Sequence, residues 1–94
     1  MSEPQRQQRE IYYAGHVQGV GFRYTVRSLA AGFDVTGFVR NLPDGRVQVV
    51  VEGQPREIDE FLDSVQREMS HYIQAAHQTT LSATGRFAMF EIRH

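Results

Sequence analysis

Residues 9–32 read REIYYAGHVQGVGFRYTVRSLAAG and contain the segment that decides the fold. The first six residues of this stretch are rich in β-branched and aromatic side chains and stop at Gly15, which predicts a strand over residues 9–14. Apolar side chains then recur at helical spacing from Phe22 onward, and Gly32 is placed to end that helix in a left-handed cap. A glycine-containing loop separates the two elements, so the stretch predicts a strand, a loop and a helix in succession.

A β-hairpin is predicted after this helix. The first of its strands covers residues 35–42, and the second covers residues 47–51, where valines alternate with polar side chains. The segment Pro43-Asp44-Gly45 between them favours a turn, because proline fixes one φ angle, aspartate bonds its own backbone and glycine tolerates positive φ.

The second helix has the clearest amphipathic pattern in the chain. It is predicted to begin near Pro55, and we expect its apolar stripe to pack on the sheet and not on a partner protein. The members of this stripe are Ile58, Phe61, Leu62, Val65, Met69 and Tyr72. Further strands are predicted over residues 76–82 and 87–93, the first of them on a polar segment that carries little pattern.

The resulting order is β-α-β-β-α-β, with room for one extra strand. We therefore predict an α+β fold, a ferredoxin-like split β-α-β sandwich with an antiparallel sheet and two helices on one face. The 94 residues fit one domain, which we place at residues 9–94 after a flexible N-terminal arm at residues 1–8.

Composition excludes several kinds of chemistry. All ten basic residues are arginine and there is no cysteine, which excludes a Schiff-base lysine, a phosphate-loop lysine, a catalytic thiol and a thiolate zinc site. The four histidines are scattered without metal-ligand spacing, so we expect no metal and no cofactor. A net charge of −1 and a polar N-terminal segment lead us to expect a cytoplasmic monomer that binds neither nucleic acid nor membrane.

The loop before the first helix is the best candidate for an anion site. Its glycines allow consecutive backbone N–H groups to point inward, and the helix N-terminus adds free donors and partial positive charge. Arg23 adds a planar guanidinium that can grip a phosphate through two hydrogen bonds. The residues of the predicted phosphate-binding loop are His16, Val17, Gln18, Gly19, Val20, Gly21 and Phe22.

Asn41 is the second candidate, because it stands at the end of the second predicted strand. Asparagine beside a turn commonly just caps the backbone. In a β-α-β unit, however, the two parallel strands end on the same side of the sheet, which would bring Asn41 close to the loop that follows the first strand.

Two segments together resemble the acylphosphatase family. Residues 15–23, GHVQGVGFR, are similar to its signature, and residues 37–47, GFVRNLPDGRV, stand at the usual distance downstream. The resemblance implies that the loop binds phosphate, that Arg23 is the phosphate ligand and that Asn41 holds the attacking water. Two departures are His16, where arginine is frequent, and the weak match of residues 77–84.

The resemblance implies an enzyme that hydrolyses acyl phosphates, with inorganic phosphate or sulfate as a further ligand of the loop. A carboxylate is a good leaving group, so binding the phosphoryl oxygens and aiming a water would suffice for catalysis. Three alternatives remain: an RNA-recognition module, which would need aromatics on the third strand, a non-catalytic sensor of the same fold, and a fragment of a hydrogenase-maturation protein. In the absence of a cysteine-rich continuation, we expect a free-standing enzyme.

Overall fold

The computed structural model describes residues 5–94, and residues 1–4 of the predicted arm lie outside them. Five strands and two helices follow one another in the order β-α-β-β-α-β-β. Their bounds are β1 (Gln7–Gly15), α1 (Phe22–Ala30), β2 (Val35–Asn41), β3 (Val47–Gly53), α2 (Pro55–Met69), β4 (Ile73–Ser82) and β5 (Phe90–Arg93). The predicted α+β fold is confirmed, and the extra strand is present.

The strands form one sheet in the order β4-β1-β3-β2-β5. The sheet is antiparallel as predicted except at β5, which runs parallel to β2. Because β1 and β2 both lie antiparallel to β3, these two strands run in the same direction. The C-terminal ends of β1 and β2, at Gly15 and Asn41, therefore lie at the same end of the sheet, on either side of β3.

Both helices cover one face of the sheet. The buried stripe of α2 (Ile58, Phe61, Val65 and Met69) packs with the inward side chains of the strands, so the predicted role of this helix is confirmed. Strand β3 contributes Val47, Val49 and Val51, all without solvent exposure. Burial of these apolar surfaces is the main favourable term in folding.

Some element boundaries differ from the predicted ones. Strand β1 begins at Gln7, so Gln7 and Gln8 of the predicted arm are part of the sheet and pair with both β3 and β4. Helix α2 ends at Met69, and Tyr72 lies in the turn that follows, where its N–H donates to the Met69 carbonyl. The last strand begins only at Phe90. The predicted left-handed cap at Gly32 is wrong, because α1 ends at Ala30 with Ala31 still in right-handed helical conformation and Gly32 has no positive φ.

The segment between β4 and β5 crosses the sheet face that carries no helix, which explains the late start of β5. Phe87 packs there against Phe38, with ring centroids 5.8 Å apart. The buried carboxylate of Glu52 accepts hydrogen bonds from the Thr84 N–H and hydroxyl, at 2.9 and 2.8 Å, and from the Gly85 N–H at 3.0 Å. Glu52 also accepts from Gln8 Nε2 at 2.7 Å, so one carboxylate holds this segment on the sheet.

These donors also set the ionisation of Glu52. Burial raises the pKa of its carboxyl group, but the hydrogen bonds from Thr84, Gln8 and Gly85 outweigh burial and hold the pKa below its usual range. No helix within residues 5–94 is long and apolar enough to cross a membrane.

Candidate active site at the β1–α1 loop

A cavity of about 200 Å³ opens where the β1–α1 loop meets the end of β2. It is lined by Val17, Gly19, Gly21, Phe22, Arg23, Tyr24 and Asn41. The structure thus brings Arg23 and Asn41 to the same cavity, as the shared direction of β1 and β2 predicts. Of the nine predicted site residues, His16, Gln18 and Val20 are absent from its lining.

The loop beside this cavity has backbone N–H groups without an acceptor among the described residues. Gly19 and Gly21 have φ angles of 78° and 77°, in the left-handed region that favours glycine. A Cβ atom at either position would meet nothing within 4 Å, so the space beside them is open to a ligand. Within residues 5–94, the N–H groups from Gly19 to Arg23 donate to no other residue, which leaves a run of donors at the start of α1.

Apolar packing fixes the two ends of the loop. Val17 is fully buried, and Phe22 packs against Tyr13 at the end of β1 with ring centroids 5.3 Å apart. The His16 N–H donates to the Tyr72 carbonyl at 2.9 Å, while the side chain of His16 is exposed. Val17 and Phe22 therefore belong to the core, and only their backbone is available to a ligand.

Gln18 ties the loop to the β2–β3 hairpin. Its Nε2 donates to the carbonyl oxygens of Leu42 and Arg46, at 2.8 and 2.9 Å. As predicted, Asp44 stabilises the hairpin turn. Its carboxylate accepts hydrogen bonds from the backbone N–H and the side chain of Arg46. These hydrogen bonds lower the pKa of the Asp44 carboxyl group, and the bond from the Arg46 backbone N–H has the largest effect. The Nε2 of Gln18 thus donates within the protein, although Gln18 belongs to the predicted phosphate-binding loop.

Arg23 lies in the first turn of α1, where the helix carries no acidic residue. Its half-buried side chain reaches the cavity, and its Nη1 lies 3.3 Å from Nδ1 of His94, to which it can donate. The contact with His94 has no counterpart in the sequence pattern, because the two residues are 71 positions apart.

Asn41 contributes an atom that lacks a partner. Its Oδ1 is shielded from solvent and accepts no hydrogen bond, and it is the one buried side-chain nitrogen or oxygen atom in this condition among the described residues. A buried acceptor without a donor is unfavourable by about 1–3 kcal/mol. A ligand or water that donates at this point would remove the penalty.

Metal ligands are not assembled within residues 5–94. No group of three or more histidine, cysteine, aspartate or glutamate side chains is close enough there to hold a metal ion. The functional groups at the cavity are therefore backbone N–H donors, one guanidinium and one amide. Donors of this kind suit an oxyanion.

Comparison with known proteins points to one family. The family model described as "Acylphosphatase" matches residues 9–92. The acylphosphatase of Archaeoglobus fulgidus is 50% identical over 56 residues, which cover 60% of this chain. The matched segment spans 63% of that relative, which is less than two thirds of its length.

Solved structures agree with this result. The crystal structure of the acylphosphatase from Bacillus subtilis superposes with a TM-score of 0.84 at 29% identity, and covers 94% of this chain and 99% of that one. Full-length HypF, described in a phosphate- and nucleotide-bound form, superposes with a TM-score of 0.79 at 27% identity. The superposition covers 99% of this chain but only 12% of HypF.

Proposed function

Since the chain belongs to the acylphosphatase family, we propose that it hydrolyses the carboxyl–phosphate bond of acyl phosphates. The β1–α1 loop and Arg23 bind the phosphoryl group, and Asn41 holds the attacking water. The observation that carries this proposal is the unpartnered, solvent-shielded Oδ1 of Asn41, a residue that lines the same cavity as Arg23.

Phosphate recognition follows from the donors around the cavity. The free N–H groups from Gly19 to Arg23 can each bond a phosphoryl oxygen, and the positive end of α1 favours an anion. Arg23 adds a charged fork whose two parallel hydrogen bonds match the oxygen spacing of phosphate. Together they neutralise charge that spreads over the equatorial oxygens during transfer.

The unpartnered Oδ1 of Asn41 suits a water better than it suits the phosphate. An amide oxygen accepts hydrogen bonds, so it repels phosphoryl oxygens and attracts the O–H of water. A water that donates to Oδ1 turns a lone pair away from Asn41 and toward the phosphorus. This alignment is the geometry that in-line attack requires.

The reaction needs no further group. The water oxygen forms a bond to phosphorus, the bond between phosphorus and the acyl oxygen breaks, and the electron pair leaves with the carboxylate. The proton of the water passes to the phosphoryl group, which departs as inorganic phosphate. Because a carboxylate with a conjugate-acid pKa of about 4 leaves without protonation, no general acid is required.

Hydrolysis of benzoyl phosphate tests the proposal. We expect phosphate release well above the uncatalysed rate, with the same turnover in the presence of a strong chelator. Activity that disappears in chelator and returns with a divalent ion would contradict the mechanism. Tight binding of phosphate without any turnover would identify a sensor of the same fold.

A further inference from the structure

Tyr24 is an aromatic residue with an exposed ring beside the proposed site. Its exposed fraction is 57%, although it directly follows Arg23 in the first turn of α1. The Arg27 guanidinium lies 5.5 Å from the centre of the ring. Tyr24 is therefore not part of the hydrophobic core, and packing of the core does not explain its position at the cavity.

Tyr24 lines both a cavity and a neighbouring groove. It lines the cavity that holds Arg23 and Asn41. It also lines a neighbouring open groove of about 370 Å³, whose other lining residues are Thr25, Ser28, Leu29 and Glu68. A substrate too large for the cavity would extend past the Tyr24 ring into this groove.

In-line chemistry fixes which part of the substrate lies there. The attacking water and the departing oxygen stand on opposite sides of the phosphorus. The proposed water site is at Asn41 Oδ1, which is shielded from solvent, whereas the Tyr24 ring at the same cavity is exposed. The acyl group, on the other side of the phosphorus, then points away from Asn41, and Tyr24 is the exposed aromatic side chain that lines the cavity.

We propose that the ring of Tyr24 packs against the acyl group and gives the enzyme a preference for aromatic acyl phosphates over small ones such as acetyl phosphate. This inference rests on the proposed function, because it assigns the acyl end of the same site. An aromatic ring on the substrate can stack on Tyr24 in offset or edge-to-face geometry, whereas an acetyl group offers one methyl.

The test compares kcat/KM for benzoyl phosphate and acetyl phosphate in the wild type, Tyr24→Ala and Tyr24→Phe. The ratio between the two substrates cancels any change that affects both equally. We expect the ratio to fall about tenfold in Tyr24→Ala, in line with the strength of aromatic pairs, and to stay near the wild-type value in Tyr24→Phe. Inorganic phosphate should inhibit all three proteins with the same constant.

Met89→Ala is the matched control. Met89 is an apolar residue with a 63% exposed fraction. Its carbonyl accepts a hydrogen bond from the Gly37 N–H near the start of β2, at the end of that strand away from Asn41. This variant should keep the wild-type ratio.

An unchanged ratio in Tyr24→Ala would overturn the inference while leaving the proposed function in place. An equal loss for both substrates, together with weaker phosphate inhibition, would assign Tyr24 to phosphate binding and would also overturn the inference. Hydrolysis of neither substrate by the wild type would contradict the proposed function, and this inference with it.

Discussion

The side-chain amide of Gln18 donates to the Leu42 carbonyl at 2.8 Å, and through this bond the β1–α1 loop is joined to the hairpin that carries Asn41. A second bond from the same Nε2 reaches the Arg46 carbonyl at 2.9 Å. Leu42 directly follows Asn41, so one glutamine sets the distance between the two halves of the proposed site.

Gln18→Ala should impair both catalysis and stability. Loss of two hydrogen bonds is expected to lower the free energy of unfolding by about 1–2 kcal/mol, while kcat falls about tenfold because the loop and Asn41 lose their common anchor. Gln18→Glu should be worse, since its carboxylate would face two carbonyl oxygens. Steady-state kinetics with urea denaturation checks both. A Gln18→Ala enzyme with wild-type kcat would contradict the anchoring role.

Arg23→Ala should abolish activity and phosphate binding while the fold remains. In the wild type, phosphate at a hundredfold excess over Kd should stabilise the protein by about 2.7 kcal/mol, and each kcal/mol should raise Tm by about 4–8 °C. Thermal melting should show this saturable shift in the wild type and not in Arg23→Ala.

Two further variants control for charge and geometry at Arg23. Arg23→Lys should restore little of the phosphate shift, because a point charge cannot replace the guanidinium fork. Arg67→Ala, an exposed arginine of α2, removes the same charge and should keep the shift. Identical phosphate shifts in wild type and Arg23→Ala would place the anion elsewhere.

Asn41→Ala should lower kcat about 100-fold or more, the usual cost of removing one positioned transition-state group. Phosphate inhibition should not change, because Asn41 is assigned to the water. Since Asn41 Oδ1 makes no hydrogen bond within the described residues, the variant should be no less stable than wild type. A parallel loss of phosphate affinity would instead make Asn41 a phosphate ligand.

Glu52 should control stability in acid. Its folded-state pKa lies below the ordinary value, so its carboxylate stabilises the fold above the unfolded pKa, and this contribution is lost as the pH falls through the folded pKa. Glu52→Gln should therefore be less stable than wild type at neutral pH, and the difference should narrow below about pH 4.5. Urea denaturation across pH measures this. Glu60→Gln, from an exposed pair with Arg56, should differ little from wild type.

Much of the fold was predictable because its residues follow strong patterns. The stripe of α2 follows the period of a helix and is buried as predicted. The valines of β3 are buried too, but the whole strand is buried, including Gln48 and Glu52, so its alternation did not indicate that the second face is also covered. The β4 prediction started three residues late, at residue 76 instead of Ile73. Every residue of β4 after Ile73 is exposed. This edge strand therefore lacks the alternation of apolar and polar residues from which its bounds could be predicted.

The candidate site was predictable where local sequence or the direction of the strands determines it, as for the loop glycines and for Asn41. Glycines before a helix indicate a turn with positive φ, and Gly19 and Gly21 adopt it. The contacts of Gln18 with Leu42 and of Arg23 with His94 join residues 24 and 71 positions apart. Contacts at such separation depend on tertiary packing, and no spacing rule reveals them.

The position of the bond that breaks tests the central claim most directly. Benzoyl phosphate is hydrolysed by the wild type in ¹⁸O-labelled water, and Arg23→Ala serves as the control for the uncatalysed rate. The wild type should react faster than this control and should place one labelled oxygen in inorganic phosphate and none in benzoate, because water attacks phosphorus. Mass spectrometry of both products reads the result. Label in benzoate would mean attack at the carbonyl carbon, and would contradict a site built to hold a phosphoryl group beside the water of Asn41.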